Sequence, residues 1–180
     1  MACVVHELSS KKLEQPMQGK VVSIEPEKMK PILDAWQNQV KFLEARVDKE
    51  NYQLLREYKQ VLSFAKLNAS QKNMVLFAFV IDARIQGIMI GKIQNQALHI
   101  EELATAPENL SLFTEKPKQK GVGRALIQHA IKLAVDLQLS VLKVRFFDGA
   151  IGFYKKLGMI RTEQGFVLDI NQQPAQICYN

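Results

Sequence analysis

Cysteine is scarce in this sequence: Cys3 and Cys178 sit near opposite ends, at no spacing that would build a metal site or a disulfide framework. That excludes a cysteine-stapled scaffold and fits a reducing compartment. Long apolar runs are missing too. Nothing approaches the ~20 residues that cross a bilayer, and the opening MACVVHELSSKKLEQ has no basic segment followed by an apolar one. A soluble, cytoplasmic protein is expected, with no membrane partner. No five like charges stand in a row, and no basic tract is interleaved with aromatics, so the net charge of +6 is not laid out for nucleic acid. His6, His99 and His129 form no cluster, and no metal is expected.

What the chain does have is a core. Hydrophobic residues make up 47% of its 180 positions, enough for one domain that buries roughly 70% of the surface of its unfolded chain. Residues 20–180 are expected to form that domain, with 1–19 an N-terminal arm of unassigned role. Lys20 to Ile24 reads as a strand, and Glu25-Pro26 opens a helix, since proline suits a first turn. Met29, Ile32, Leu33, Trp36, Val40, Leu43 and Val47 recur at helical spacing. A second helix from about Asp48 carries Leu54, Leu55, Tyr58, Val61, Leu62 and Ala65 on its apolar stripe.

The period then changes. Val75 to Ile81, Gly87 to Ile93 and Ala97 to Ala104 are apolar runs joined by the links DARIQ and QNQ, which predicts an antiparallel meander. A polar loop of about a dozen residues after Pro107 leads into GVGRALIQHAIKLAVDLQL, a helix with Arg124, Gln128, Lys132 and Asp136 on its polar face. A strand over Val141 to Phe146, a short helix over Ala150 to Leu157 stopped by Gly158, and strands at Met159 to Thr162 and Phe166 to Ile170 complete the order β-α-α-β-β-β-α-β-α-β-β.

The chemistry concentrates at Lys118-Gln119-Lys120-Gly121-Val122-Gly123-Arg124. A helix N-terminus carries unsatisfied N–H groups and about half a positive charge, and glycine lets an anion touch the backbone. Four cations, Lys116, Lys118, Lys120 and Arg124, fall within nine residues around these two glycines. The dinucleotide pattern G-x-G-x-x-G is absent, because Leu126 stands at its third glycine, and so is the P-loop pattern.

LATAP (Leu103 to Pro107), KQKGVGRAL and FYKKLGM (Phe153 to Met159), in that order, make residues 74 to 170 resemble the GNAT superfamily of N-acetyltransferases. The resemblance implies an α/β fold of the α+β type, a mixed, largely antiparallel sheet of six to seven strands flanked by helices. It also implies an acyltransferase that moves the acetyl group of acetyl-coenzyme A directly to a primary amine of a small molecule or protein, as a monomer or homodimer. The cofactor would lie against Leu103, Ala104 and Thr105, over Lys118, Gln119, Lys120, Gly121, Val122, Gly123, Arg124 and Ala125, and near Asp148 and Tyr154.

Tyr154 stands where the family often has the acid that protonates the departing thiolate, with aromatic packing the alternative. Glu101 or Glu102 stands where the base often lies. Alternation sends the two to opposite faces, and Glu102 is preferred because it is expected to share an apolar face with Ile100 and Ala104. Three departures are visible. Lys118 replaces the usual Arg or Gln, Phe147 or Asp148 stands where the family has an Asn, and the connection from Pro107 to Lys118 is long. They leave open a second reading, a GNAT-fold module that holds acyl-coenzyme A or a protein without turnover.

Overall fold

Seven strands form one sheet in the computed structural model of the chain, which describes residues 19–116, 118–145 and 148–172. The elements are β1 (Lys20–Ser23), α1 (Pro26–Leu43), α2 (Tyr52–Asn68), β2 (Met74–Ile81), β3 (Arg84–Gln94), β4 (Ala97–Thr105), α3 (Val122–Asp136), β5 (Val141–Val144), α4 (Ile151–Lys156), β6 (Ile160–Thr162) and β7 (Gly165–Asp169). The strand order is β1-β2-β3-β4-β5-β7-β6, and β4 with β5 is the one parallel pair among the described strands. This is the mixed, mainly antiparallel sheet that the sequence implies. Cys3, His6, Phe146, Phe147 and Cys178, together with nearly all of the N-terminal arm, lie outside the described residues.

The meander turns are tighter than the sequence suggests. Asp82 and Ala83 (φ 47° and 61°), then Asn95 and Gln96 (52° and 57°), close two-residue hairpins. Two left-handed central residues match the right-handed twist of the flanking strands. The expected five-residue link DARIQ therefore shrinks to Asp82-Ala83, because the ladder continues through Val80 opposite Ile85 and Ile81 opposite Arg84.

Each face of the sheet has its own helical layer. The stripes of α1 and α2 put Met29, Leu33, Trp36, Leu55 and Leu62 over Leu76, Ile88, Ile90 and Ala104. On the other face α3 and α4 bring Val122, Leu126, Ile127 and Tyr154 against Met89, Leu98, Ile100, Leu142 and Phe166.

One irregularity in β4 shapes everything downstream. Ile90 lies opposite Glu102 and the next residue of β3, Gly91, lies opposite Ile100, so Glu101 is an extra residue. A bulge of this kind flips the facing of all that follows. Before it Leu98 and Ile100 face α3; after it Ala104 faces α1 and α2, and Leu103 packs toward α3. Strict alternation put Glu102 on one face with both Ile100 and Ala104, and the bulge corrects that: Glu102 shares a face with Ala104 alone. At the same point β4 and β5 part. Their ladder runs from Ala97 opposite Val141 to Ile100 opposite Val144, and Arg145 N donates to Ile100 O (3.0 Å) just beyond it. β4 goes on alone to Thr105.

Candidate active site

The glycine loop opens α3 with its first backbone N–H groups uncapped by any side chain. Gly121 caps α3 at φ 85°, a left-handed conformation that favours glycine, and no side chain caps the helix. Ala125 N donates to Gly121 O (2.9 Å) as the first helical bond, which leaves the N–H groups of Val122, Gly123 and Arg124 at the open end. These residues, with Gln119 and Lys120, form one side of a groove of about 530 Å³. The other side is Leu103, Ala104 and Thr105 of β4 and Gly149, Ala150, Phe153 and Tyr154.

Close packing holds this end of α3 against the sheet. A Cβ on Gly87 of β3 would lie 2.4 Å from Val122 Cγ1 and 3.2 Å from Ala104 O. The long connection before the cradle is tied at its base. Asn109 Nδ2 donates to Gln86 Oε1 (2.8 Å), Asn109 Oδ1 accepts from Gln119 N (3.0 Å), and Lys118 N donates to Glu108 O (3.2 Å). The extra length is therefore anchored, and the glycines stay in place.

Three residues expected at the cofactor lie outside the groove walls. Lys118 lines a separate recess with Glu108 and Gln86. Ala125 packs into the α3 core. Asp148 is exposed at the start of a 3₁₀ turn, and its neighbours Gly149 and Ala150 line the groove instead.

The two carboxylates of β4 have different surroundings. Glu101 pairs with Lys92 Nζ (2.8 Å) at the surface. Glu102 is only 1% exposed. Its Oε1 accepts from Asn68 Nδ2 (3.3 Å), and its Oε2 is buried with no partner among the described residues. Burial pushes the Glu102 carboxyl up to about 8; Arg145 pulls it down and Glu101 adds to the rise. Tyr154 is buried between the rings of Phe153 (5.0 Å) and Phe166 (5.2 Å) and also lines the groove. Burial, and then the nearby Glu102, push its phenol above the usual range, so it stays protonated. Burial lowers the pKa of His99 and of His129, and the His129 ring sits edge-on to Phe77 at 4.6 Å.

Several contributors were not singled out from the sequence for the site. Tyr58, read as one member of an apolar stripe, donates its O–H to Thr105 O (2.6 Å) in the groove. Its signal was a polar-tipped aromatic on a buried face. Glu57 Oε2 accepts from Gly149 N (3.2 Å) and ties α2 to the turn that leads into α4. Asn68, Asn109 and Arg145 gave no signal, because their roles depend on contacts remote in the chain.

A second groove, of about 670 Å³, opens on the opposite face of the sheet. Lys143 lies opposite His99 in β4 and Val167 in β7, while the flanking Leu142 and Val144 belong to the α3 core. These three residues therefore point away from α3. Ile100, Glu101, Val144 and Arg145 bring this groove to the point where β4 and β5 part.

A sequence model described as the Acetyltransferase (GNAT) family matches residues 32–159, and no curated protein matches the chain. The fold is similar to that of PaiA N-acetyltransferase from Thermoplasma acidophilum, solved in complex with coenzyme A. The TM-score is 0.53 at 16% identity, over 84% of this chain and 97% of that one. It is similar as well to a GCN5-related N-acetyltransferase from Rhodopseudomonas palustris, with TM-score 0.58 and 17% identity over 83% of this chain and 94% of that one. The family match takes in more than half of the sequence, and the fold agrees with it: the chain belongs to the GNAT acetyltransferase family, enzymes that use acetyl-coenzyme A.

Proposed function

We propose that the chain acetylates a primary amine directly from acetyl-coenzyme A, at the opening between β4 and β5. The observation that carries this reading is the buried Glu102, raised to about 8, in electrostatic contact with Tyr154 of the cradle groove. The chain's residues fit the cofactor. The open N–H groups of Val122, Gly123 and Arg124, with the helix dipole behind them, suit a pyrophosphate, and the left-handed Gly121 lets it approach. Lys120 and Arg124 add positive charge at the groove wall. Leu103, Ala104 and Thr105 flank the path from the cradle toward Tyr154.

Bound acetyl-coenzyme A supplies the thioester carbonyl. An amine with a reference pKa of ~10.4 arrives protonated, and a base near 8 is better matched to that proton than an ordinary carboxylate. Glu102 takes it through a water, since its side chain is sealed from the surface. Tyr154 presents its O–H to the leaving sulfur. Its raised pKa makes complete transfer to a thiolate less favourable than for an ordinary phenol, so donation as a hydrogen bond is the role the surroundings favour. The test is release of free thiol from acetyl-coenzyme A with a panel of primary amines. Tight binding of acetyl-coenzyme A with no thioester loss for any amine would sink this reading and leave a binding module.

A further inference from the structure

The groove on the face away from α3 is lined by two cations, Arg145 and Lys143, that make no ion pair among the described residues. Arg145 stands at its mouth, where its backbone N–H closes the last β4–β5 bond. The guanidinium stacks on Phe64 of α2, with Cζ 5.0 Å from the ring centroid. Stacking fixes the plane of the group and leaves its N–H edges free, and Arg145 makes no ion pair among the described residues. Lys143, two residues earlier on the same face, is exposed and likewise unpaired. Of the acids that line the groove, Glu101 is paired with Lys92 at 2.8 Å, and Glu163 sits in the β6–β7 turn. His99 is held toward its neutral form by burial and by Lys143.

We propose that the acceptor is a small molecule carrying both an amine and a carboxylate, with the carboxylate held by Arg145 and Lys143 and the amine presented beside Glu102. The inference rests on the amine-acetylation reading above. Two features put both ends on one molecule. Glu102 follows the bulge on the same face that Arg145 reaches, and Arg145 acts on Glu102 electrostatically. A planar guanidinium matches a carboxylate through two parallel hydrogen bonds, a geometry that a neutral carboxamide cannot reproduce. The reaction balances. The C–N bond forms as the C–S bond breaks, and the ammonium loses two protons, one through Glu102 to solvent and one that ends on sulfur.

The test pairs free α- and ω-aminocarboxylates with their own carboxamides. For the best pair, kcat/KM per neutral amine should be at least tenfold higher for the acid, mainly through KM, and the advantage should shrink with added salt. Arg145→Gln should bring the ratio within about twofold of one, and Arg145→Lys should keep part of it. Taking the ratio cancels any change that Arg145 makes to Glu102. Amides acetylated as well as acids, or a ratio that Arg145→Gln leaves standing, would overturn the proposal. Silence of every amine, with coenzyme A still bound, would overturn the activity itself and this inference with it.

Discussion

Replacing Glu102 with Gln keeps the shape of the side chain and the acceptor for Asn68 Nδ2, but removes the titration. With the carboxyl at about 8, roughly one tenth of the enzyme holds an ionised base at pH 7 and roughly nine tenths at pH 9. The base-dependent part of kcat/KM should therefore rise about tenfold between those values. The amine titrates as well, so the quantity to plot is the ratio of wild type to Glu102→Gln at each pH, from which the amine cancels. That ratio should climb from pH 6, bend near 8, and level at about 10² to 10⁴, the usual contribution of a general base. Stability gives an independent check. The folded state keeps the Glu102 proton up to about pH 8, whereas the unfolded chain releases it near the ordinary carboxyl value. The contribution is thus fully present below the unfolded pKa and is lost as pH rises through the folded one, at up to about 1.4 kcal/mol per pH unit for one group. Urea unfolding should show wild type losing stability against Glu102→Gln between pH 5 and 8 and no further above it. A flat activity ratio together with parallel stability curves would refute Glu102 as the titrating base.

Tyr154→Phe keeps the ring between Phe153 and Phe166 and should slow single-turnover acetyl transfer on the order of 10²-fold with little change in coenzyme A affinity; equal rates would return Tyr154 to packing. Lys120 lines the groove and Lys118 does not, so Lys120→Ala should weaken coenzyme A binding more than Lys118→Ala in low-salt calorimetry, and the reverse order would contradict the groove. Gly87→Ala puts a methyl 2.4 Å from Val122 Cγ1, so it should destabilise the fold by about 1–3 kcal/mol and weaken coenzyme A binding by moving the start of α3; an unperturbed variant would show that the contact is slack. At Gly123 a Cβ would meet the Phe153 ring at 3.3 Å, so Gly123→Val should lower coenzyme A affinity by pushing that ring rather than by touching the phosphates, and unchanged affinity in the folded variant would rule out the site.

Local periodicity carried most of the architecture. The stripe through Met29, Leu33, Trp36 and Val40 and the runs now in β2, β3 and β4 needed no partner to be recognised, since burial on one face leaves its period in the sequence. Gly158, left-handed at φ 77°, ends α4 as its place in FYKKLGM suggested. Gly121 marked the turn into α3 because its left-handed cap favours glycine, and Gly123 lies where a Cβ would meet the Phe153 ring.

The remaining features depend on contacts between distant parts of the chain. Nothing in HIEELATAP says that Glu101 is an extra residue; only pairing with β3 reveals the bulge, and with it the face on which Glu102 lies. Glu102 has a high pKa because it is buried beside Asn68 of α2, and the Arg145 guanidinium rests over the ring of Phe64. Propensity and spacing are properties of a segment, whereas desolvation and charge coupling belong to groups brought together in space. The sequence by itself therefore determined the order of elements, the family resemblance and the place of the glycine turn that starts α3. Only the tertiary structure decided which carboxylate is buried, which cations make no ion pair among the described residues, and where β4 and β5 part.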